Sequence, residues 1–354
     1  MRLLWFNLAT DADDPILGFA AGWIGAIAKR VEFVNVISMS VGRYDLPGNV
    51  RVHSVGKEKG YSEPRRAIEF YRHLFRILHS ERIDGCFSHM IPIFTVLAAP
   101  FLRRREVPLV TWYAHRQVTR LLKWAHHLST RMASVNEASY PYRNDKLSTL
   151  GHGIDTDLFS PRDTCLENPP LLLSVGRLSP IKDPLTLIAA VALLRERGHE
   201  LRCALVGPVP NRDRSYAERI RHQISAYRLG DVVELVGPVH RPELVPWYRR
   251  CLAHVNCSPP DHALDKAALE AMACAKPSFS SVEGFGETVG RWARHLLFRH
   301  GDARDLAEKL GWLLQLDQAR RECVGRELRE NVVKMHSLFG LVDRLHNIFR
   351  TITA

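Results

Sequence analysis

Cysteines spaced for zinc or redox work are missing from this sequence. Its seven cysteines, at positions 86, 165, 203, 251, 257, 274 and 323, include no C-x-x-C pair. That spacing excludes the common zinc sites and supplies no disulfide framework, and unpaired thiols in odd number suit a reducing cytoplasm. A membrane span is missing too. The apolar run from Ile16 to Ala28 falls far short of the roughly 20 residues a spanning helix needs. The opening MRLLWFNLATDADD turns acidic after one short apolar run, which is not the pattern of a secretory leader. No G-x-G-x-x-G follows the first strand pattern, so a Rossmann dehydrogenase is disfavoured. Low-complexity tracts and solenoid-length repeats are also absent, which argues against disorder and repeat architectures.

What is present is a chain of 354 residues, 46% hydrophobic and 25% charged, enough for about two ordinary domains with sizeable cores. The net charge is +11. Such a balance suits nucleic acid, an anionic membrane leaflet or a phosphorylated substrate, and charge alone does not choose among them. No RNA- or DNA-binding motif accompanies it, and the aromatics sit in α/β core patterns, so nucleic acid is not expected as a partner. Between Arg103 and Arg131 seven Lys or Arg face the single acid Glu106, and an Arg-rich aromatic stretch, Arg65–Arg76, precedes them. These are either solvated helix faces or a foot on an anionic membrane surface.

Short β-rich runs alternate with longer helical patterns, the sign of βαβ units around a parallel sheet. Strands are expected at Leu3–Leu8, Phe33–Met39, Val50–Val55, Gly85–His89, Leu109–Tyr113 and Ala133–Asn136. A second series follows at Leu171–Val175, Arg202–Val206, Val232–Leu235, His254–Asn256 and Ser278–Ser281. Between the two series lies the Pro-rich polar stretch Phe159–Pro170, which reads as a linker. The expected fold class is therefore α/β, two doubly wound Rossmann-like domains facing across a cleft. The N-terminal domain spans residues 1–158, the C-terminal domain 159–335, and a helix in 336–354 crosses back to the first domain.

The most informative segment is Leu172–Leu185, LLSVGRLSPIKDPL. A buried strand ends at Gly176, a turn follows, and Asp183 and Pro184 are expected to start a helix as cap and first-turn proline. The turn lies at the carboxyl end of a strand, where open α/β sheets bind ligands. It presents Arg177 and Lys182, a planar fork and a point charge suited together to a diphosphate.

These residues resemble the group 1 family of retaining GT-B glycosyltransferases, whose second domain opens with V-G-R-L-x-x-x-K-G/D, here Val175–Leu178 and Lys182-Asp183. Further likenesses keep order and spacing. Gly151–Pro161 (GHGIDTDLFSP) resembles the family's hinge, Ala204–Pro208 and Val233–Gly237 its strand-then-glycine elements, Leu269–Pro277 (LEAMACAKP) its L-E-A-M-A-C-G-x-P, and Gly301-Asp302 with Leu306-Ala307 its G-D…L-A stretch. The likeness spans the second domain and, more weakly, the first.

The resemblance implies roles. Arg177 and Lys182 would neutralise the donor diphosphate and stabilise the leaving nucleotide without a metal or other cofactor, a nucleotide-diphosphate sugar being the donor. His115, in Trp112-Tyr-Ala-His115, would contact the transferred sugar, a lone strand-end histidine otherwise being structural. Those three are the expected catalytic residues. Glu270 would hold the ribose from the opening of a helix; its bland alternative is a helix-surface carboxylate. Gly176, Gly207, Gly18 and Gly22 would let backbone approach the donor. One departure stands out. The family's Glu-x7-Glu begins E-G-F-G, but with seven residues between it and Glu270 stands His262, followed by Ala263, Leu264, Asp265 and Lys266. A bacterial subset with S-L-D-K-x-x-L-E-A is closer, and there the helix-start amides would still meet donor oxygens. Glu283–Gly286 spells E-G-F-G but follows the helix and reads as a separate loop.

The function implied is retaining sugar transfer to a glycan or lipid-linked acceptor, in cell-surface polysaccharide or glycolipid synthesis. The location expected is the cytoplasm, peripheral on the inner membrane face. The alternative is a catalytically weak nucleotide-sugar-binding partner subunit.

Overall fold

The computed structural model describes residues 1–14, 17–115, 117–162 and 167–353, the side chain of Thr353 aside. Ile16 of the apolar run, Arg116 of the basic stretch, and positions 163–166 in the expected linker lie outside the described residues. The chain divides into two compact units: Met1–Gly153 with Leu338–Ala354, and Ile154–Ser337.

Unit 1 contains β1 (Arg2–Thr10), α1 (Phe19–Ala28), β2 (Phe33–Val41), β3 (Val50–Ser54), α2 (Glu63–Ser80), β4 (Gly85–His89), α3 (Pro92–Arg104), β5 (Leu109–Trp112), α4 (Arg120–Leu128), β6 (Arg131–Ser134) and β7 (Leu147–Thr149). All seven strands are parallel, in the order β3-β2-β1-β4-β5-β6-β7. β1 is central, and its run Leu3–Phe6 is fully buried, as expected of a strand covered on both faces. β7 was not expected from sequence: three residues on an edge, pairing with β6 alone, carry no periodicity to read.

Unit 2 contains β8 (Leu171–Val175), α5 (Pro184–Glu196), β9 (Arg202–Val206), α6 (Arg214–Ala226), β10 (Val233–Gly237), α7 (Leu244–Arg250), β11 (Ala253–Asn256), α8 (Lys266–Ala273), β12 (Ser278–Ser280), α9 (Gly286–Val289), α10 (Ala293–Leu296), α11 (Ala303–Gln315) and α12 (Gln318–His336). Its five strands are parallel in the order β10-β9-β8-β11-β12. The direction of winding reverses between β8 and β11, so a crevice at their carboxyl ends is the place where this topology binds ligands.

The last helix, α13 (Leu338–Thr353), returns to unit 1 and packs on α1. Arg30 pairs with Asp343 at 3.0 Å and stacks on Phe339, and Arg344 donates to Leu150 O at 2.7 Å. Gly85 is glycine for a reason of space: a Cβ there would lie 2.5 Å from the Phe349 ring. The boundary of the units falls inside the GHGID motif. Gly153 takes a left-handed φ of +60°, and a Cβ on it would meet Trp23 at 2.5 Å. Ile154 N donates to His336 O at 2.7 Å.

Candidate functional site

The carboxyl edge of the unit 2 sheet is built from turns that need glycine. After β8 the chain passes Gly176 and Arg177, and Gly176 N donates to Val206 O at 2.8 Å. Gly207, at the end of β9, lies so close that a Cβ on it would stand 2.0 Å from Gly176 O. No side chain fits between these two turns. Lys182 folds its alkyl stem over Gly176, with Cε 3.5 Å from where a Cβ would be. A short 3-10 turn, Pro180–Lys182, then leads through Asp183 to α5.

Asp183 does not cap α5 in the expected way. It sits in the left-handed region (φ 40°, ψ 55°), its carboxylate accepts from the Thr186 hydroxyl, and only its carbonyl receives a helix amide. The turn before it is too tight for the extended backbone that an Asx cap requires.

Two cations of the turn differ sharply. Lys182 Nζ is bound to Asp265 Oδ2 and both side chains are largely buried. Asp265 also caps α8, its Oδ1 accepting from Ala267 N at 3.2 Å. Burial alone would raise the Asp265 carboxyl, but the Lys182 charge and hydrogen bond outweigh it and hold it down to about 2. Arg177 is half-buried and makes no ion pair among the described residues. It is the uncompensated cation of this edge.

Below the pair lies His254, on β11 and 1% exposed. Its Nδ1 meets Ser278 Oγ at 2.9 Å, while Nε2 has no hydrogen-bond partner. Burial pushes this imidazole down to about 4, with Asp265 and Lys182 acting on it in opposite directions. Sequence reading did not single out His254; as a polar residue in the middle of a buried strand it carried a readable signal.

Glu270 departs from expectation. It does not open α8 but lies in its second turn, 5% exposed. Its Oε1 accepts from Arg241 Nε (3.1 Å) and Nη2 (3.0 Å), and its Oε2 from the Tyr248 hydroxyl at 3.1 Å. The helix-surface alternative does not hold, because this carboxylate is held in a buried network. Arg241 and Tyr248 were not anticipated, since nothing in their spacing links them to Glu270. Burial and the nearby Arg241 push the Lys266 ammonium at the start of α8 well below its usual value.

The segment in place of E-G-F-G is half-buried at His262, Ala263 and Asp265, and buried at Leu264. His262 Nδ1 lies 2.9 Å from Ala263 O, turned onto its own backbone. The Glu283–Gly286 loop packs beside this segment: Glu283 N donates to Pro260 O at 3.0 Å, and Gly284 sits against Leu264.

The structure thus brings together Gly176, Lys182, Gly207 and Asp265 within unit 2. His115, Gly18 and Gly22 belong to unit 1. His115 is exposed just past the end of β5, its Nδ1 accepting from Gln117 N at 3.1 Å. Gly18 precedes α1, where a Cβ would meet Asp14 O at 2.7 Å, so its own loop already demands glycine. Gly22 is on the open face of α1 with nothing within 4 Å of a Cβ.

Two parallel-sheet units of this kind, each with a Rossmann-like strand order, define the class of GT-B glycosyltransferase folds. Solved structures agree over nearly the whole chain. Anabaena HepE in complex with UDP superposes with a TM-score of 0.78 at 17% identity, covering 99% of this chain and 100% of that one. Sucrose-phosphate synthase from Thermosynechococcus elongatus gives 0.78 at 18% identity, covering 99% of each. Residues 158–329 match the family model of glycosyl transferases group 1, and the chain carries a group 1 glycosyltransferase domain. Among curated proteins it is similar to the D-inositol 3-phosphate glycosyltransferase of Kribbella flavida, 32% identical over 52% of this chain and 46% of that protein. The enzyme of the same name from Pseudarthrobacter chlorophenolicus is 29% identical over 69% of this chain and 61% of that protein. The chain spans about half the length of the first of these relatives and less than two thirds of the second.

Proposed function

We propose that this protein transfers a sugar from a nucleotide-diphosphate donor to a glycan or lipid-linked acceptor, with retention of configuration, in cell-surface polysaccharide or glycolipid synthesis. The observation that carries the reading is Arg177: a half-buried guanidinium with no anionic partner, at the carboxyl edge of β8, beside a second cation on a glycine turn. Such a group carries charge that no neighbouring acid takes up, and fixed positive charge is what stabilises negative charge growing on a leaving phosphate. The UDP in the HepE structure of the same fold supports a nucleotide ligand.

In this reading Arg177 forks the diphosphate oxygens. Lys182, with one proton engaged by Asp265, offers its others to the same oxygens. The sugar–phosphate bond lengthens with oxocarbenium-like charge on the sugar, and the two cations hold the departing nucleotide without a metal. The acceptor hydroxyl attacks from the face of departure and gives its proton to the departing phosphate oxygen beside it, and His115 contacts the transferred sugar. Gly18 and Gly22 let the first loop and α1 approach the donor, Gly176 and Gly207 do so in unit 2, and the 262–266 segment meets the sugar. Glu270 is committed to Arg241 and Tyr248, so ribose binding by it would require a lone pair left over from that network. The setting is the cytoplasm, on the inner membrane face. Among the described residues no helix is long and apolar enough to cross a membrane.

A thermal-shift screen against UDP, GDP, ADP, CMP and their sugar conjugates tests the reading. A ligand at a hundred times its Kd adds about 2.7 kcal/mol, and Arg177→Ala should abolish the shift. Stabilisation by none of them, or one unaltered in Arg177→Ala, would remove the donor site. The second reading, a weak nucleotide-sugar-binding partner subunit, draws on His262 and on the engaged Glu270. Turnover of a donor sugar onto an acceptor by the protein alone would dispose of it.

A further inference from the structure

A cavity of about 920 Å³ opens in unit 1 at the amino-terminal ends of β1, β4, β5 and β6, the edge opposite to the one at which such sheets bind their usual ligands. Its inner wall is apolar, with Ile83, Leu102, Val107, Leu128 and Ile352. Its mouth is cationic. Arg82, Arg103 and Arg105 come from around α2 and α3, and His346 and Arg350 from α13. The acids that line it are Asp84 and Glu106, and Asp84 is already matched by Arg82 Nε at 3.3 Å and by the Arg2 amide at 2.7 Å. Arg105 is also in use, donating to Leu78 O at 2.8 Å. Arg103 and Arg350, on separate helices, make no ion pair among the described residues. Arg103 adds to the field on nearby Lys146, whose ammonium burial pushes down and Arg103 pushes further. The carbonyl end of α3 accounts for a cation there. Arg350 in turn lies in the last turn of α13, so each helix sets a cation at its own carbonyl end, and both cations line the one cavity, where their fields add toward an anion.

We propose that this cavity binds a phosphate monoester carrying an apolar group, the phosphate held by Arg103 and Arg350 and the apolar part laid against the inner wall. Two arginine forks suit a dianion that accepts paired hydrogen bonds, and the volume lies in the range of small-molecule sites. The ligand is either a soluble phosphorylated molecule or the headgroup and first carbons of a phosphate-bearing lipid.

Isothermal titration of the whole protein with dihexanoyl phosphatidate below its micelle concentration tests this, with inorganic phosphate as the probe lacking an apolar part. Saturable binding is expected, weaker for inorganic phosphate. The double variant Arg103→Ala with Arg350→Ala should weaken it at least tenfold, while Arg103→Lys with Arg350→Lys, which keeps the charge and the fold, should weaken it less. Arg177→Ala should leave it unchanged, which separates this cavity from the donor site and lets either reading fail alone. Flotation with phosphatidylcholine vesicles carrying phosphatidic acid then sorts the source. Recruitment that the soluble ligand competes away points to a lipid headgroup; soluble binding without recruitment points to a free phosphate ester. No saturable binding, binding untouched by the double alanine variant, or binding lost in Arg177→Ala would each overturn the proposal. So would vesicle recruitment with no affinity for the soluble probe, which would leave only a charged surface.

Discussion

The carboxyl edges of the two sheets are made by the same winding and filled in opposite ways. In unit 1 the edge is packed with rings. Trp23 from α1 stands 5.2 Å from Trp112 at the end of β5 and 4.9 Å from His89 at the end of β4, with Phe19 behind it. His89 is fixed by Asn7 at 3.0 Å. In unit 2 the same position holds glycine turns and charge: Gly176 against Gly207, Lys182 on Asp265, and Arg177 without an acid. Aromatic packing excludes water and fixes geometry, whereas uncompensated charge on tight turns leaves room and attraction for an anion. One topology therefore yields a ring-packed edge and a charged edge, according to the side chains placed at the strand ends.

The largest expected effect attacks the ring-filled edge. Trp23→Ala should cost about 3–5 kcal/mol, through the cavity left among Trp112, His89 and Gly153, read by urea denaturation with far-UV circular dichroism. A cost below about 1 kcal/mol would show that the rings do not hold this edge.

Next comes the buried base under the charged edge. His254 is lowered from 6.5 to about 4 by burial. The unfolded chain then binds the extra proton between those values, so stability is full above about pH 6.5 and is lost as pH falls toward 4. For a fully buried group the whole difference is on the order of 3 kcal/mol. His254→Leu should flatten the unfolding midpoint over that window, although the Ser278 hydroxyl loses its partner. His53 in unit 1 is also lowered to about 4 by burial and by His73, so part of the slope should survive the substitution.

A smaller change sharpens the charge balance. Asp265→Asn keeps a good helix cap for α8 but frees the Lys182 ammonium, and nucleotide-diphosphate affinity should rise by roughly 1–2 kcal/mol. Weaker binding would instead mean that Asp265 is needed to aim Lys182. The smallest effect concerns a cap shared by neither edge. Asp302 accepts from Arg304 N and Asp305 N at the start of α11, both at 3.0 Å, and Asp302→Ala should cost about 1 kcal/mol in thermal unfolding.

Much of the fold was legible because α/β periodicity is local. The buried runs Leu171–Val175, Arg202–Val206 and Gly85–His89 form strands with the expected bounds. What was lost lacks periodicity: β7, and the short helices α9 and α10 that follow β12. At the site, the strand–turn–helix around Arg177 and Lys182 was visible as glycine, cations and proline in order. The partners were not. Lys182 and Asp265 lie 83 residues apart and Glu270 and Arg241 lie 29 apart, and no rule of spacing joins them.

The sequence by itself therefore determined the two parallel sheets, their order of elements, and which turn carries the cations, because hydrophobic period, glycine and proline act over a few residues. Tertiary structure alone decided that Lys182 is neutralised and Arg177 is not, that Glu270 is buried against Arg241 and Tyr248, and that arginines from α3 and α13 line one cavity. Charge compensation and burial depend on distance in space, and distance in space is set only when the sheets are wound.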